Sequence, residues 1–157
     1  MTIETEEKLI SHELVAQRHK EIVKRLFEEI IKQGNLSMID KILAPNYRLE
    51  SPFGSITYGG RAGFKDLYTK LAIAFPCFHI EIQEIFAEYD KVAVRYKAHG
   101  THEGEFMGIS PTGKKWTLIG TDTFKLVDNK IVEHWCNFDR LGIMQQLGLK
   151  IKAGDKV

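Results

Sequence analysis

The sequence is poor in cysteine, has no long apolar run and carries no excess of charge of either sign. Its two cysteines, Cys77 and Cys136, are too few for a disulfide framework or paired zinc knuckles, and they favour a reducing compartment. No apolar run approaches the roughly 18 residues that span a bilayer. The N-terminal stretch MTIETEEKLISHE is polar and acidic and lacks the features of an export signal, so we expect a cytoplasmic protein.

The balance of 22 basic and 21 acidic side chains argues against nucleic acid as the main partner, because duplex binding needs a clustered basic surface. The 157 residues, of which 43% are hydrophobic, suit one globular domain with a sizeable core. No repeat, low-complexity tract or linker divides the chain. We therefore predict a single domain over residues 1–157, with an ordered core at about 11–148 and flexible termini.

Hydrophobic periodicity changes from helical to alternating near residue 77. It predicts helices over residues 11–33, 37–43, 62–74 and 139–147, and strands over 46–51, 77–88, 91–102, 114–126 and 130–137. The first helix should end at Gly34-Asn35, and Ser37 should cap the next. Its apolar stripe, which should be core, comprises Leu14, Val15, Ile22, Val23, Leu26, Phe27, Ile30 and Ile31. Helices first and long antiparallel strands later are typical of an α+β fold.

The last hairpin supports the most specific inference. A three-residue loop over 127–129, with Asn129 in the left-handed conformation, would pair Leu126 with Lys130. Counting outward then places Asp122 opposite His134. A two-residue turn would instead shift the register by one and send this pair to opposite faces of the sheet.

With the three-residue loop, one face of the hairpin is mostly apolar and should be the inner one. It carries Trp116, Leu118, Gly120, Asp122 and Phe124 with Val132, His134, Cys136 and Phe138. Directly opposed residues lie about 5 Å apart at Cβ, which is close enough for a carboxylate to hold an imidazole. Such a pair in an apolar pocket suits proton transfer next to a carbonyl group. It also occurs as a satisfied polar contact that does no more than set strand register.

The other histidines form no convincing metal site. His99 and His102 are three residues apart in one strand and so should lie on opposite faces of the sheet. His102 either points inward near the rim of the pocket or is an ordinary histidine at the end of the strand. Cys136 is two residues from His134 and, without direct contact, reads as an inert buried thiol. Three histidines should lie at the surface, namely His12, His19 and His79.

The segment 108–114 (GISPTGK) matches the opening of a phosphate-binding loop. Lys115 follows where Ser or Thr is needed, and the next residues predict a strand instead of a helix. Without a helix N-terminus no row of amides can bind phosphate, so we take the match as chance.

Three stretches resemble the signature of the SnoaL-like polyketide cyclases: residues 100–113 (GTHEGEFMGISPTG), 122–135 (DTFKLVDNKIVEHW) and 145–148 (QQLG). The resemblance covers roughly residues 20–148. It implies the nuclear transport factor 2-like cone, in which a strongly curved antiparallel sheet wraps around N-terminal helices and encloses a pocket. It also implies ring closure by intramolecular aldol condensation, with neither a metal nor an organic cofactor. One departure is Cys136, which stands where the family has its acid–base Asp, directly after Glu-His-Trp.

The sequence therefore predicts cofactor-free acid–base chemistry, by cyclisation, isomerisation or hydration, on a small apolar carbonyl compound. Asp122 and His134 would be catalytic, His102 and Cys136 secondary pocket contacts, and Trp116 and Phe138 would shape the pocket. A non-catalytic ligand-binding or sensing domain is the alternative, favoured by the cysteine at 136. A third, weaker hypothesis is an association module. Such cones often form homodimers through the outer face of the sheet, where Trp135 would lie.

Overall fold

The structure is a computed structural model that describes residues 3–52 and 54–150, of which 3–4 and 54–58 are described for the backbone alone. The predicted flexible segment after residue 150 lies outside the described residues. The helical elements are α1 (Ile3–Arg25), a π-helical segment (Leu26–Lys32), a 3₁₀ turn (Leu36–Met38), α2 (Ile39–Ile42), α3 (Gly60–Ala74) and α4 (Arg140–Gln146). The strands are β1 (Leu43–Ser51), β2 (Gly54–Tyr58), β3 (His79–Glu88), β4 (Lys91–Thr101), β5 (Lys115–Val127) and β6 (Lys130–Phe138).

The strands form one sheet in the order β2-β1-β6-β5-β4-β3. All five predicted strands are present, but the prediction of an antiparallel sheet is wrong for one pair, because β1 pairs with β6 in parallel. This pairing places Leu49 beside His134. A parallel neighbour needs a long crossover connection, here nearly the whole domain, so local sequence patterns do not reveal it. The strand β2, which the periodicity did not predict, pairs with β1 at the edge.

The β5–β6 hairpin differs from the prediction in its turn. Val127 pairs with Lys130, and the two turn residues, Asp128 and Asn129, have positive φ angles of 49° and 59°. These values are those of a type I′ turn, which suits a two-residue hairpin loop. The predicted three-residue loop, and with it the pairing of Asp122 with His134, is therefore wrong.

A bulge in β6 restores the inner face that the two-residue turn would have reversed. Leu126 pairs with Ile131, but Lys125 pairs with Glu133, so Val132 is an extra residue. One extra residue shifts the side-chain alternation back by one. Beyond the bulge, the residues of β5 and β6 that face inward are therefore those that the sequence predicted. The partner directly opposite each β5 residue lies two positions later in β6 than predicted. Asp122 now lies opposite Cys136, and Phe124 lies opposite His134.

The first helix begins earlier than predicted, at Ile3, and continues into the π-helical segment. It ends as expected: Gly34 has φ 71°, and the Asn35 amide donates to the Glu29 carbonyl at 2.9 Å. The stripe from Val23 onward is buried against the inner face of the sheet, but Leu14 is 67% exposed. Val15 is exposed as well, so the prediction of a continuous core stripe is wrong for the first half of the helix.

Two further local predictions are wrong. His19 is buried, not superficial, because its Nδ1 lies 2.9 Å from the Tyr89 carbonyl oxygen in the β3–β4 turn. Ser37 does not cap α2: it lies within the 3₁₀ turn, and its hydroxyl donates to the Asn35 side chain at 2.6 Å. By contrast, Asp139 caps α4 by accepting from the Gly142 amide at 2.8 Å.

Candidate active site

A cavity of about 100 Å³ lies between the inner face of the sheet and the helices. Its wall is mainly aromatic and aliphatic, and it includes Trp116, Leu118 and Phe138 from the last hairpin. Polar side chains in the wall are Ser51, Tyr68, Tyr96, Asp122, His134 and Cys136. None of the described residues lining it is a lysine or an arginine. The cavity therefore suits an uncharged ligand with a polar group at the Asp122 end.

Asp122 and His134 are in direct contact. The distance from His134 Nε2 to Asp122 Oδ2 is 2.8 Å, and both side chains are almost fully buried. The predicted contact exists although the two residues are not opposed, because they lie diagonally on the same face of adjacent strands. The His134 ring also stacks on Phe124, with ring centroids 4.3 Å apart. This packing limits the rotation of the imidazole.

Tyr47 holds the other ring nitrogen of His134. Its hydroxyl lies 2.9 Å from Nδ1, and the tyrosine is 1% exposed. A carboxylate only accepts hydrogen bonds, so we assign the proton to Nε2, and Tyr47 then donates to Nδ1. Tyr47 reaches this position because β1 runs parallel to β6 and carries it on the same face as Leu49.

Asp122 has two further donors on its second oxygen. The Tyr96 hydroxyl lies 3.1 Å from Oδ1, and the Asn137 amide lies 3.3 Å from it. Gly120 makes the first contact possible, because a Cβ there would lie 2.4 Å from the end of the Tyr96 ring. Burial of a carboxylate is costly unless it is hydrogen-bonded, and here both oxygens have partners.

Burial also governs the other ionisable groups around Asp122. It raises the pKa of the Cys136 thiol well above its usual value, and the nearby Asp122 carboxylate adds to the effect. Burial likewise raises the pKa of Tyr47 and of Tyr96. The Cys136 thiol and the hydroxyl groups of Tyr47 and Tyr96 therefore keep their protons at neutral pH and act as hydrogen-bond donors.

The structure brings together most of the residues predicted for the site. Trp116, Cys136 and Phe138 line the cavity with Asp122 and His134. His102 lies outside that lining: it is fully buried, its Nδ1 lies 3.0 Å from Thr112 Oγ1, and its ring packs against Phe75.

Tyr47 and Tyr96 were not predicted from the sequence. Tyr96 shares inward alternation with Val92 and Val94 in β4, so its position was visible in the sequence although its contact with Asp122 was not. Tyr47 carried no such signal, since its role depends on the parallel β1–β6 pair.

A second cavity, of about 470 Å³, adjoins the first between the π-helical segment and α3. The two share part of their walls, formed by Ile31, Tyr68, Leu71, Phe75 and Phe78. Side chains therefore separate the cavities. The outer cavity also has polar residues in its wall, among them Lys32, Gln33 and Thr69.

The sequence model of the SnoaL-like polyketide cyclase family matches residues 21–147. The chain belongs to this family. No curated protein matches the chain. Among solved structures, a proposed polyketide cyclase from Acidithiobacillus ferrooxidans is 32% identical with a TM-score of 0.73, over 83% of this chain and 94% of the other.

Two Streptomyces proteins are also similar. AclR from Streptomyces galilaeus, a proposed hydroxylase, is 29% identical over 85% of this chain and 82% of its own, with a TM-score of 0.73. IdmH from Streptomyces antibioticus, a proposed polyketide cyclase, is 27% identical over 83% and 99%, with a TM-score of 0.70. The predicted α+β fold and family are therefore confirmed. Within the described ranges, no helix has the length and apolar character to cross a membrane.

Proposed function

We propose that this SnoaL-like protein is an enzyme that performs acid–base chemistry on a small, uncharged carbonyl compound without a cofactor. The observation that carries the proposal is the hydrogen-bonded Asp122–His134 pair in the wall of an apolar cavity. A carboxylate in the wall of such a cavity can take a proton from a carbon acid held beside it. Cyclisation, isomerisation and hydration all require such proton transfers.

In this proposal Asp122 is the acid–base residue. For an intramolecular aldol closure, its carboxylate takes a proton from the carbon next to one carbonyl, and the resulting enolate attacks a second carbonyl. The protonated carboxyl group then returns the proton to the new alkoxide, so the step is balanced without another reagent. His134 donates from Nε2 to Asp122 throughout and stabilises its charge, while Tyr47 fixes the ring.

Tyr96 can donate to the enolate oxygen once Asp122 has taken the proton, because its one hydroxyl hydrogen can then turn from Asp122 Oδ1 to the substrate. Its hydroxyl lies beside Asp122 in the cavity wall and keeps its proton at neutral pH. A fixed donor at the site of developing negative charge stabilises the transition state. The same arrangement offers a reason for the cysteine at position 136. The resemblance places the family's acid–base carboxylate there, and in this chain the carboxylate of Asp122 lies directly opposite that position on β5.

The size of the cavities bears on the substrate. A cavity of about 100 Å³ holds no more than one ring, since an engineered cavity of roughly 150 Å³ binds benzene. A substrate with several rings would need the adjoining cavity of about 470 Å³ as well. Movement of the shared side chains, such as Tyr68 and Phe75, would join the two.

A non-catalytic ligand-binding domain is the second candidate, and one observation favours it. Both ring nitrogens of His134 and both oxygens of Asp122 already have protein partners. A fully satisfied network of this kind stabilises a fold without doing chemistry. Turnover in the presence of a bound ketone separates the two candidates.

The experiment is a thermal-shift screen against small aromatic, polyketide-like and terpenoid ketones, with conversion of each hit followed by mass spectrometry. A ligand at a hundred times its Kd stabilises by about 2.7 kcal/mol. We expect conversion by the wild type and by Asp128→Asn, a matched change in the exposed β5–β6 turn, and none by Asp122→Asn. Binding without conversion in all three proteins would favour the ligand-binding domain.

We also propose homodimerisation through the outer sheet face. Phe86 and Ile119 are 62% and 53% exposed there, and the Lys91 ammonium lies 5.2 Å from the centre of the Trp135 ring. Sedimentation velocity tests this proposal: Ile119→Asp should yield monomers, and a wild type that is monomeric at every concentration would refute it. A cytoplasmic location stays a prediction from the sequence.

A further inference from the structure

Three different metal-binding side chains converge at the inner end of the cavity. The ligand atoms of Asp122, His134 and Cys136 all lie within 4.8 Å of one another. His134 and Cys136 are two residues apart on β6 and face inward, and Asp122 lies opposite Cys136 on β5. The spacing along the sequence does not suggest a site, because one ligand comes from a different strand.

The donor set has a defined chemical preference. Imidazole, carboxylate and thiolate are the ligands of Zn²⁺, and Co²⁺ accepts the same set. Three protein ligands with one open position are typical of catalytic zinc sites, and here Asp122, His134 and Cys136 all line the cavity. A divalent ion with one carboxylate and one thiolate is electrically neutral, which lowers the cost of burial among apolar side chains.

The geometry needs only small side-chain movements. Tetrahedral zinc places its ligand atoms about 3.4–3.7 Å apart, given metal–ligand distances of roughly 2.0–2.3 Å. The Asp122–His134 contact of 2.8 Å would open by less than an ångström to admit the ion. The Cys136 sulfur lies within 4.8 Å of the other two ligand atoms, so an approach of roughly 1 Å brings it to a tetrahedral separation.

Hydrogen bonds already orient two of the ligands. Tyr47 contacts Nδ1 of His134, so Nε2 is the nitrogen that faces the cluster. Tyr96 and the Asn137 amide contact Oδ1 of Asp122, which directs Oδ2 toward the cluster. Partners of this kind fix ligand orientation in metal sites and raise affinity.

We propose that Asp122, His134 and Cys136 bind one thiophilic divalent cation, of the Zn²⁺ class, with its open position toward the cavity. The ion takes Asp122 Oδ2 and His134 Nε2, the two atoms that otherwise share a hydrogen bond. The thiol proton passes to the buffer. His134 stays neutral, because its proton moves from Nε2 to Nδ1 and is then donated to the Tyr47 oxygen. Ion binding and metal-free acid–base activity therefore exclude each other, and the proposal does not depend on that activity being present.

The test is a titration of the purified full chain with Co²⁺, followed by absorption spectroscopy. Thiolate ligation gives a near-ultraviolet charge-transfer band, and tetrahedral coordination gives strong visible bands. The chain has only two cysteines, and Cys77 is exposed, so Cys136 is the only thiol in Cys77→Ser. We expect saturation at one ion per chain with the same spectrum in the wild type and in Cys77→Ser, and reversal by Zn²⁺.

Cys136→Ser completes the comparison and should lose the charge-transfer band. Absence of the band from the wild type, or its loss in Cys77→Ser, would overturn the proposal whether or not Cys136→Ser folds. If a ketone is converted, Zn²⁺ should abolish conversion and a chelator should restore it. If no ketone is converted by any sample, the proposed function fails while the cobalt spectrum still decides the metal site.

Discussion

Replacing Tyr47 with phenylalanine tests whether the Asp122–His134 pair depends on a third residue. Tyr47→Phe removes the hydroxyl group that lies 2.9 Å from His134 Nδ1 and leaves the ring in place. The ring packs edge-on against Phe64, with centroids 5.6 Å apart, and that contact survives the change. The substitution therefore isolates one buried hydrogen bond.

The expected loss follows from burial. Tyr47 is 1% exposed and His134 is 3% exposed, so no solvent replaces the missing hydroxyl. A buried acceptor left without a partner costs about 1–3 kcal/mol of unfolding free energy. For a domain of this size, about 1 kcal/mol corresponds to a Tm shift of roughly 2–4 °C, so we expect a fall of about 2–12 °C.

Urea denaturation followed by circular dichroism gives the change in unfolding free energy. The matched control is Tyr89→Phe, in which the same hydroxyl is removed from a side chain that is 64% exposed. That control should remain within about 0.5 kcal/mol of the wild type. Equal stability of Tyr47→Phe and the wild type would refute the assignment of Tyr47 as the donor to Nδ1.

Three further predictions concern the same region. Gly120→Ala should cost about 1–3 kcal/mol in urea denaturation, because its Cβ would lie 2.4 Å from Tyr96 atoms, and an unchanged midpoint would contradict the close approach. The free energy of unfolding should fall above about pH 9, because the unfolded chain ionises Cys136 and Tyr47 while the folded chain keeps those protons. The loss is up to about 1.4 kcal/mol per pH unit for each group. A Tm that stays constant from pH 8 to 11 would contradict this prediction. Ala72→Trp changes a residue in the wall of the outer cavity. It should raise the Kd of long-chain phenyl ketones at least tenfold and leave the Kd of acetophenone unchanged. Equal effects on the two ligands would show that the cavities do not act together.

The family and the order of elements were predictable from the sequence because both depend on local patterns. Alternation in β3 to β6 identified the strands, and the motifs around residues 100–113 and 122–135 identified the family. The inner face was also predictable, since side chains in a strand alternate with a period of two. Alternation gave the face of each strand separately, whereas the placement of Asp122 and His134 on the same face also depended on the assumed three-residue loop.

The register of the last hairpin was decided only by the tertiary structure. The turn is the two-residue type, which by itself would have separated Asp122 from His134, and the bulge at Val132 reverses that effect. Bulges depend on packing against neighbouring strands and have no strong sequence signature. The predicted face was therefore correct although the predicted turn was wrong.

The contact of Tyr47 with His134 could not be predicted from the sequence. Composition, periodicity and motifs determined the α+β fold and the family, whereas the bulge at Val132 decided that Asp122 and His134 share one face. The third member of that network lies 87 residues before His134 and reaches it through the parallel β1–β6 pair. Local patterns determine which way a side chain points, whereas contacts between distant strands depend on the chain path, and the path exists only in the folded molecule.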